Sequence, residues 1–311
     1  MLDRLARERL APLWLHVLVI LAWLAVFLPA NVWFGPSQIW LPLREASHGL
    51  VYPALLVGLA CMLLVVGMVL FAIGRFRPRE LGLELGKLPD AIVYTLLVWT
   101  LMQLVAIALS RFAGESPQLV FGLNGNGAGH LAGALVAQLF GNALCEEVLF
   151  RGFLFVELGI LFCRWLPDQP RLGLVAAGLV SSVVFAIAHL PHRHWINGGY
   201  ADWSALAMDQ GWLVVWGCVY CWLYVRTENL LFVVGVHALA NARTMLVTAP
   251  AVAEFLPLSQ MLGVGIALVW HRLPGHAGHT VSNFLTNSPE RSMGVKVQKV
   301  GPACEQPIPE D

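Results

Sequence analysis

Apolar stretches of about twenty residues, repeated along the whole chain, constrain this sequence more than any other feature. A helix needs about 20 mostly apolar residues to cross the hydrocarbon core of a bilayer. Eight stretches of that kind are read, at roughly 13–33, 50–73, 91–110, 131–151, 172–190, 203–225, 230–248 and 251–270. They are too long for barrel strands and do not alternate. The composition agrees. Of 311 residues, 58% are apolar and 12% charged, where a soluble domain carries about 25% charged residues. That leaves too little polar surface to clothe a globule in water. Lys plus Arg equals Asp plus Glu at 19 each, so no net field recruits nucleic acid or another acidic partner. The expected fold class is all-α, a polytopic membrane bundle of about eight helices.

Basic residues set the expected orientation. With the N-terminus inside, fourteen Lys and Arg fall on inner segments, Arg4, Arg7 and Arg9 among them, against Arg44, Arg111 and Arg193 outside. Both termini are therefore expected in the cytoplasm. The first span reads as a retained anchor, since its apolar run is long and no small-x-small cleavage site follows it. The stretch from Gly74 to Asp90 is the most basic loop, and residues 271–311 turn polar and read as a mobile tail. Three regions follow: 1–129 with the first three spans and the basic loop, 130–250 with spans four to seven, and 251–311 with the last span and tail. No internal repeat of the kind many transporters carry is found. Cys218 and Cys221 form a C-x-x-C inside an apolar span with no second pair, and read as small buried thiols.

Ionisable and amide side chains are costly at membrane depth, so those that occur there face the bundle interior and serve a purpose. Three spans concentrate them. In span four, Gln138, Asn142 and Glu146 are four apart and share one helix face. Glu147 and Arg151 are also four apart, with the acid first, the better order for an intrahelical pair. The two acids thus have different roles: Glu147 is held by Arg151, while Glu146 points into the interior among amides. In span five, Ser182, Phe185 and His189 share a face; taken alone, a histidine near a span end is more often an interfacial residue than a catalyst. In span seven, His237, Asn241, Thr244 and Thr248 fall at i, i+4, i+7 and i+11, a polar stripe that also suits an interhelical hydrogen-bonding seam. Arg243 lies off that stripe and reads as snorkelling to the interface. Together, two Glu, two His and an Asn on three helices supply a general base, a second proton-transfer group and neutral donors. Those are the parts for activating water against a carbonyl. An H-E-x-x-H helix is lacking.

The ordered set E-E-x-x-x-R (Glu146, Glu147, Arg151), F-x-x-x-H (Phe185, His189) and H-x-x-x-N (His237, Asn241) resembles the CPBP intramembrane proteases, the group of the CAAX prenyl endopeptidase Rce1 and of bacterial Abi-type proteins. The resemblance covers about 140–250. It implies that Glu146 activates water with help from His189, that His237 and Asn241 stabilise the oxyanion, and that Glu147, Arg151 and Phe185 support the site. It also implies a peptide or protein substrate anchored in or near the lipid bilayer, and a bacterial inner (plasma) membrane as the location. No cofactor is favoured. If zinc is used, Glu146, His189 and His237 form the ligand set with an open water position. Asn241, a poor zinc ligand and a good oxyanion donor, favours the glutamate type over the metalloprotease.

Two other readings stand beside the protease: a proton-coupled transporter using the same groups as a relay, and a non-catalytic CPBP-like binding or immunity protein. The missing repeats and unbroken spans oppose the first, and the intact motif positions oppose the second. One geometric demand is sharp. The expected topology puts His189 near the outer end of span five and His237 nearer the inner side of span seven, on the order of 10–15 Å apart in depth. Tilt, an offset, or continuation of span five past Pro191 has to bring them level.

Overall fold

The computed structural model describes residues 1, 10–116, 118–119, 128–196, 203–242, 244–248 and 250–271. Arg4, Arg7, Arg9, Arg243 and residues 272–311 of the expected tail lie outside them. Among the described residues, four helices are long and apolar enough to cross a membrane: α1 (Leu13–Phe34), α2 (Pro53–Ile73), the helix Leu85–Phe112, whose α-helical part is α3 (Leu88–Phe112), and Pro170–Pro191 within α6 (Pro170–Ile196). Prolines open several of them. Pro53, Pro89 and Pro170 sit in the first turn, where the missing N–H has no intrahelical partner to lose. In α1, Pro29 precedes a turn of π-helix over Ala30–Phe34.

Of the other four stretches, two depart from a single long rod. The fourth is not one rod. Helix α4 (Ala128–Leu139) stops at a turn over Phe140 and Gly141, and a new rod, α5, runs over 142–165 with π-helical geometry at Val148–Leu154. Gly141 sits at φ −123°, ψ −100°, and a Cβ there would lie 2.5 Å from the Ala137 carbonyl oxygen and 2.8 Å from that of Ala54. A Cβ on Gly58 would in turn lie 2.2 Å from the Gly141 carbonyl carbon. Helix α2 therefore packs backbone to backbone against the break. The unbroken-span argument against a transporter fails here; the missing repeat remains.

The sixth and eighth stretches are α7 (Trp203–Thr227) and α9 (Pro250–His271). The seventh yields only α8 (Leu230–Asn241), 12 residues long. Asn229 caps its start, accepting from the Phe232 N–H (3.2 Å) while donating to the Lys87 carbonyl (2.9 Å). At Ala242 the chain turns extended (φ −94°, ψ 103°). Helix α3 holds the exit in place. Trp99 and Gln103 donate to the Thr244 carbonyl (3.0 and 3.3 Å), and Gln103 Oε1 accepts from the Leu246 N–H (2.9 Å). Val247–Thr248 then pairs antiparallel with Gln118–Leu119, a two-residue ladder in an otherwise helical structure. The expected stripe is therefore cut after Asn241. Thr244 and Thr248 belong to the extended exit because side chains of α3 take up backbone groups that a longer helix would have satisfied itself.

Packing inverts the soluble pattern. Span helices expose Ile20, Leu63, Val93, Leu104 and Val175, whereas Gln103, Glu147, Arg151, Ser181, Ser182 and His237 are buried. Helix α5 packs on α6, α6 on α7, and α8 lies against α3, α4 and α5. The polar side chains converge where α5, α6 and α8 meet.

Candidate active site

Glu147 and Arg151 are both fully buried on α5, with Arg151 Nη1 3.1 Å from Glu147 Oε1. The guanidinium also reaches the Gly217 carbonyl (Nη2, 3.4 Å) and lies between two rings, with Cζ 4.3 Å from the centroid of Phe185 and 5.2 Å from that of Tyr220. A second donor shares the same carboxylate oxygen: His237 Nδ1 approaches Glu147 Oε1 at 2.6 Å. A buried carboxylate needs such partners, because an unpaired charge there is strongly destabilising.

His237 comes from α8 and is itself buried. Tyr220 stacks on its imidazole at 4.7 Å and 21°, and Phe185 meets it edge-on at 6.1 Å. With Nδ1 donating to Glu147, Nε2 carries the lone pair. It accepts from Asn241 Nδ2 at 3.0 Å and lies 3.5 Å from Glu146 Oε2. One more turn of α6 brings His189. Its Nδ1 donates to the Phe185 carbonyl (2.8 Å), its ring packs 4.4 Å from Phe185, and its Nε2 lies 3.6 Å from Glu146 Oε1. Phe185 is itself held by an edge-on contact with Phe150 of α5 at 5.1 Å.

The structure thus brings Glu146, Glu147, Arg151, Phe185, His189, His237 and Asn241 into one cluster. Glu146 bridges the two imidazoles, one carboxylate oxygen toward each, and is only 16% exposed. The depth mismatch is absent. Helix α6 continues through Pro191 to Ile196, so His189 sits inside a helix rather than at its end, and both histidines meet the same carboxylate.

Two participants were not named as site residues from the sequence. Tyr220 lies in an apolar run with no spacing to betray it. Gln138 stood out only as an amide on the Glu146 face. In the structure its Oε1 accepts from Asn241 Nδ2 (3.1 Å) and Asn142 Nδ2 (3.4 Å) from across the Phe140–Gly141 break.

As arranged, the histidine and carboxylate set does not fit zinc. The Nε2 lone pair of His237 that a metal would need is taken by the Asn241 N–H. Among the described residues no group of three or more His, Cys, Asp or Glu side chains is disposed to hold a metal ion.

Residues 128–243 match the model of one protein family, described as type II CAAX prenyl endopeptidase Rce1-like. This segment is an Rce1-like domain. It contains α4 through α8, and so every side chain of the cluster. This match makes the segment similar to the CAAX-type intramembrane proteases, and the apolar span helices agree with an integral membrane protein. Comparison with curated proteins and with solved structures finds no match.

Proposed function

We propose that the Rce1-like domain is a glutamate-type endopeptidase that cleaves a peptide bond of a membrane-anchored or lipid-proximal substrate. One observation carries the reading. Glu146 is set between two imidazoles at 3.5 and 3.6 Å, while its neighbour Glu147 is committed to Arg151 and His237. Those two gaps exceed a direct hydrogen bond of about 2.6–3.2 Å, and a water seated beside Glu146 can touch the carboxylate and an imidazole together.

The chemistry follows from the donors. Water beside Glu146 and His189 gives a proton to the Glu146 carboxylate as its oxygen attacks the scissile carbonyl carbon. The carbonyl oxygen becomes an oxyanion and takes the Asn241 N–H that points at His237 Nε2 in the resting site. Collapse breaks the C–N bond. The proton held on Glu146 passes to the leaving amine, directly or through His189, giving an acid and an amine. Glu147 and Arg151 never exchange protons in this scheme. They hold His237 by Nδ1 so that Nε2 faces the centre.

A substrate with an apolar or lipid-bearing flank suits the surroundings. A groove of about 310 Å³ runs between α6 and α7, lined by Val183, Ile187, Leu190, Trp203, Leu206 and Val214, and Leu190 adjoins His189 in sequence. The distribution of Lys and Arg supports a reading in which both termini lie in the cytoplasm. The deciding experiment compares the termini of membrane proteins in cells carrying the wild-type chain and Glu146→Gln. Precursors accumulate in the variant while the protein level is unchanged; equal processing in both strains rejects the reading.

A further inference from the structure

We propose that Gln138 is a positioning residue that decides which end of the Asn241 carboxamide faces the reacting centre. The oxygen and nitrogen ends of a carboxamide have nearly the same size, so packing alone does not distinguish them; hydrogen-bond partners do. Asn241 is the last residue of α8 and is exposed, so its own helix gives it little restraint. Restraint comes from α4. Gln138 Oε1 accepts one N–H of Asn241 at 3.1 Å, leaving the other N–H aimed at His237 Nε2 at 3.0 Å. The orientation of Gln138 is fixed in turn by Asn142 Nδ2, which also demands an acceptor, at 3.4 Å.

The consequence reaches the imidazole. Glu147 Oε1 takes the His237 Nδ1 proton at 2.6 Å, and the N–H delivered by Asn241 satisfies the remaining lone pair on Nε2. With Gln138 removed, Asn241 is free to turn over and present its oxygen. That would draw a second proton onto His237 at Nε2 and set an acceptor against the developing oxyanion. The mechanistic part of this inference rests on the proposed protease reading; the protonation part does not.

The test uses the full-length protein in detergent with nitrogen-15-labelled histidine, and compares Gln138→Met, which is close in size but lacks the strong acceptor, with Gln138→Glu, which keeps it. The wild type and Gln138→Glu show His237 Nε2 unprotonated, and Gln138→Met shifts its signal toward protonation. Turnover in Gln138→Met falls about tenfold with KM unchanged, the loss expected for one positioned hydrogen bond, and Gln138→Glu recovers most of it. An Nε2 that stays unprotonated in Gln138→Met, or no recovery in Gln138→Glu, overturns the assignment. Should Gln138→Met fail to fold, Gln138→Ala, which deletes the acceptor without filling its space, serves instead, and an unprotonated Nε2 there overturns the assignment as well. The resonance measurement needs no substrate. A protein that cleaves nothing but shows the Nε2 shift therefore rejects the protease reading alone.

Discussion

Replacing Arg151 by Met tests the energetic foundation of the cluster. The substitution keeps an unbranched apolar side chain against Phe185 and Tyr220 but deletes the charge that meets Glu147 Oε1 at 3.1 Å. Glu147 has no exposed surface, so water cannot replace the guanidinium, and the imidazole of His237 is its remaining partner. Stranding one member of a buried ion pair costs about 3–5 kcal/mol. At about 2–4 °C per kcal/mol for a chain of this order, the melting temperature falls by about 6–20 °C. Glu147→Gln alone strands the arginine and falls comparably. The double variant Glu147→Gln/Arg151→Met buries no lone charge, and lies at least about 2 kcal/mol above the sum of the singles. Thermal scans in one detergent, at one scan rate, read all four proteins on the same footing. A single variant within about 2 °C of wild type, or simple additivity in the double, would falsify the claim that this pair is fixed by mutual neutralisation.

Three further expectations follow. Asn241→Ala lowers turnover about 10²–10³-fold with little change in KM, as removal of an oxyanion donor does; a selective rise in KM would mean that Asn241 binds substrate instead. Dialysis against a strong chelator leaves cleavage intact, whereas activity lost on chelation and restored by zinc would require the His237 and Asn241 amide contact to open for a metal. Gly58→Ala places a Cβ 2.2 Å from the Gly141 backbone and separates α2 from the break, lowering both melting temperature and activity; a wild-type melt would show that α2 is free to shift.

Much of the site was legible because burial in an apolar run makes each polar group conspicuous. Glu146, His189 and His237 announced themselves that way, and the four-residue spacing of Glu147 and Arg151 gave their pairing directly. Helical depth was not legible. Pro191 looks like an end in sequence, yet α6 runs on through it, which is what levels the two histidines. The fourth stretch suffered from a related blindness. Hydropathy sees Phe140–Gly141 as two more apolar residues, although the small residues on both sides of the contact show, in hindsight, why the helix parts there. The early end of α8 is set by Trp99 and Gln103 from a distant helix, and no local pattern carries that information. Gln138 shares the four-residue register of Asn142 and Glu146, but only the turn between α4 and α5 sends it to Asn241 rather than along its own rod.

From Asn142 through Gln138, Asn241, His237 and Glu147 to Arg151, a chain of hydrogen bonds ties three helical elements together. At its inner end Glu147 and Arg151 have no exposed surface, so no solvent stands ready there to replace a missing link. A molecule with α8 undocked would leave Glu147 without its imidazole in a place that tolerates no vacancy. Docking of α8 and maturation of the cluster are therefore expected to go together, and half-assembled chains should be cleared by cellular quality control instead of persisting as weak enzymes.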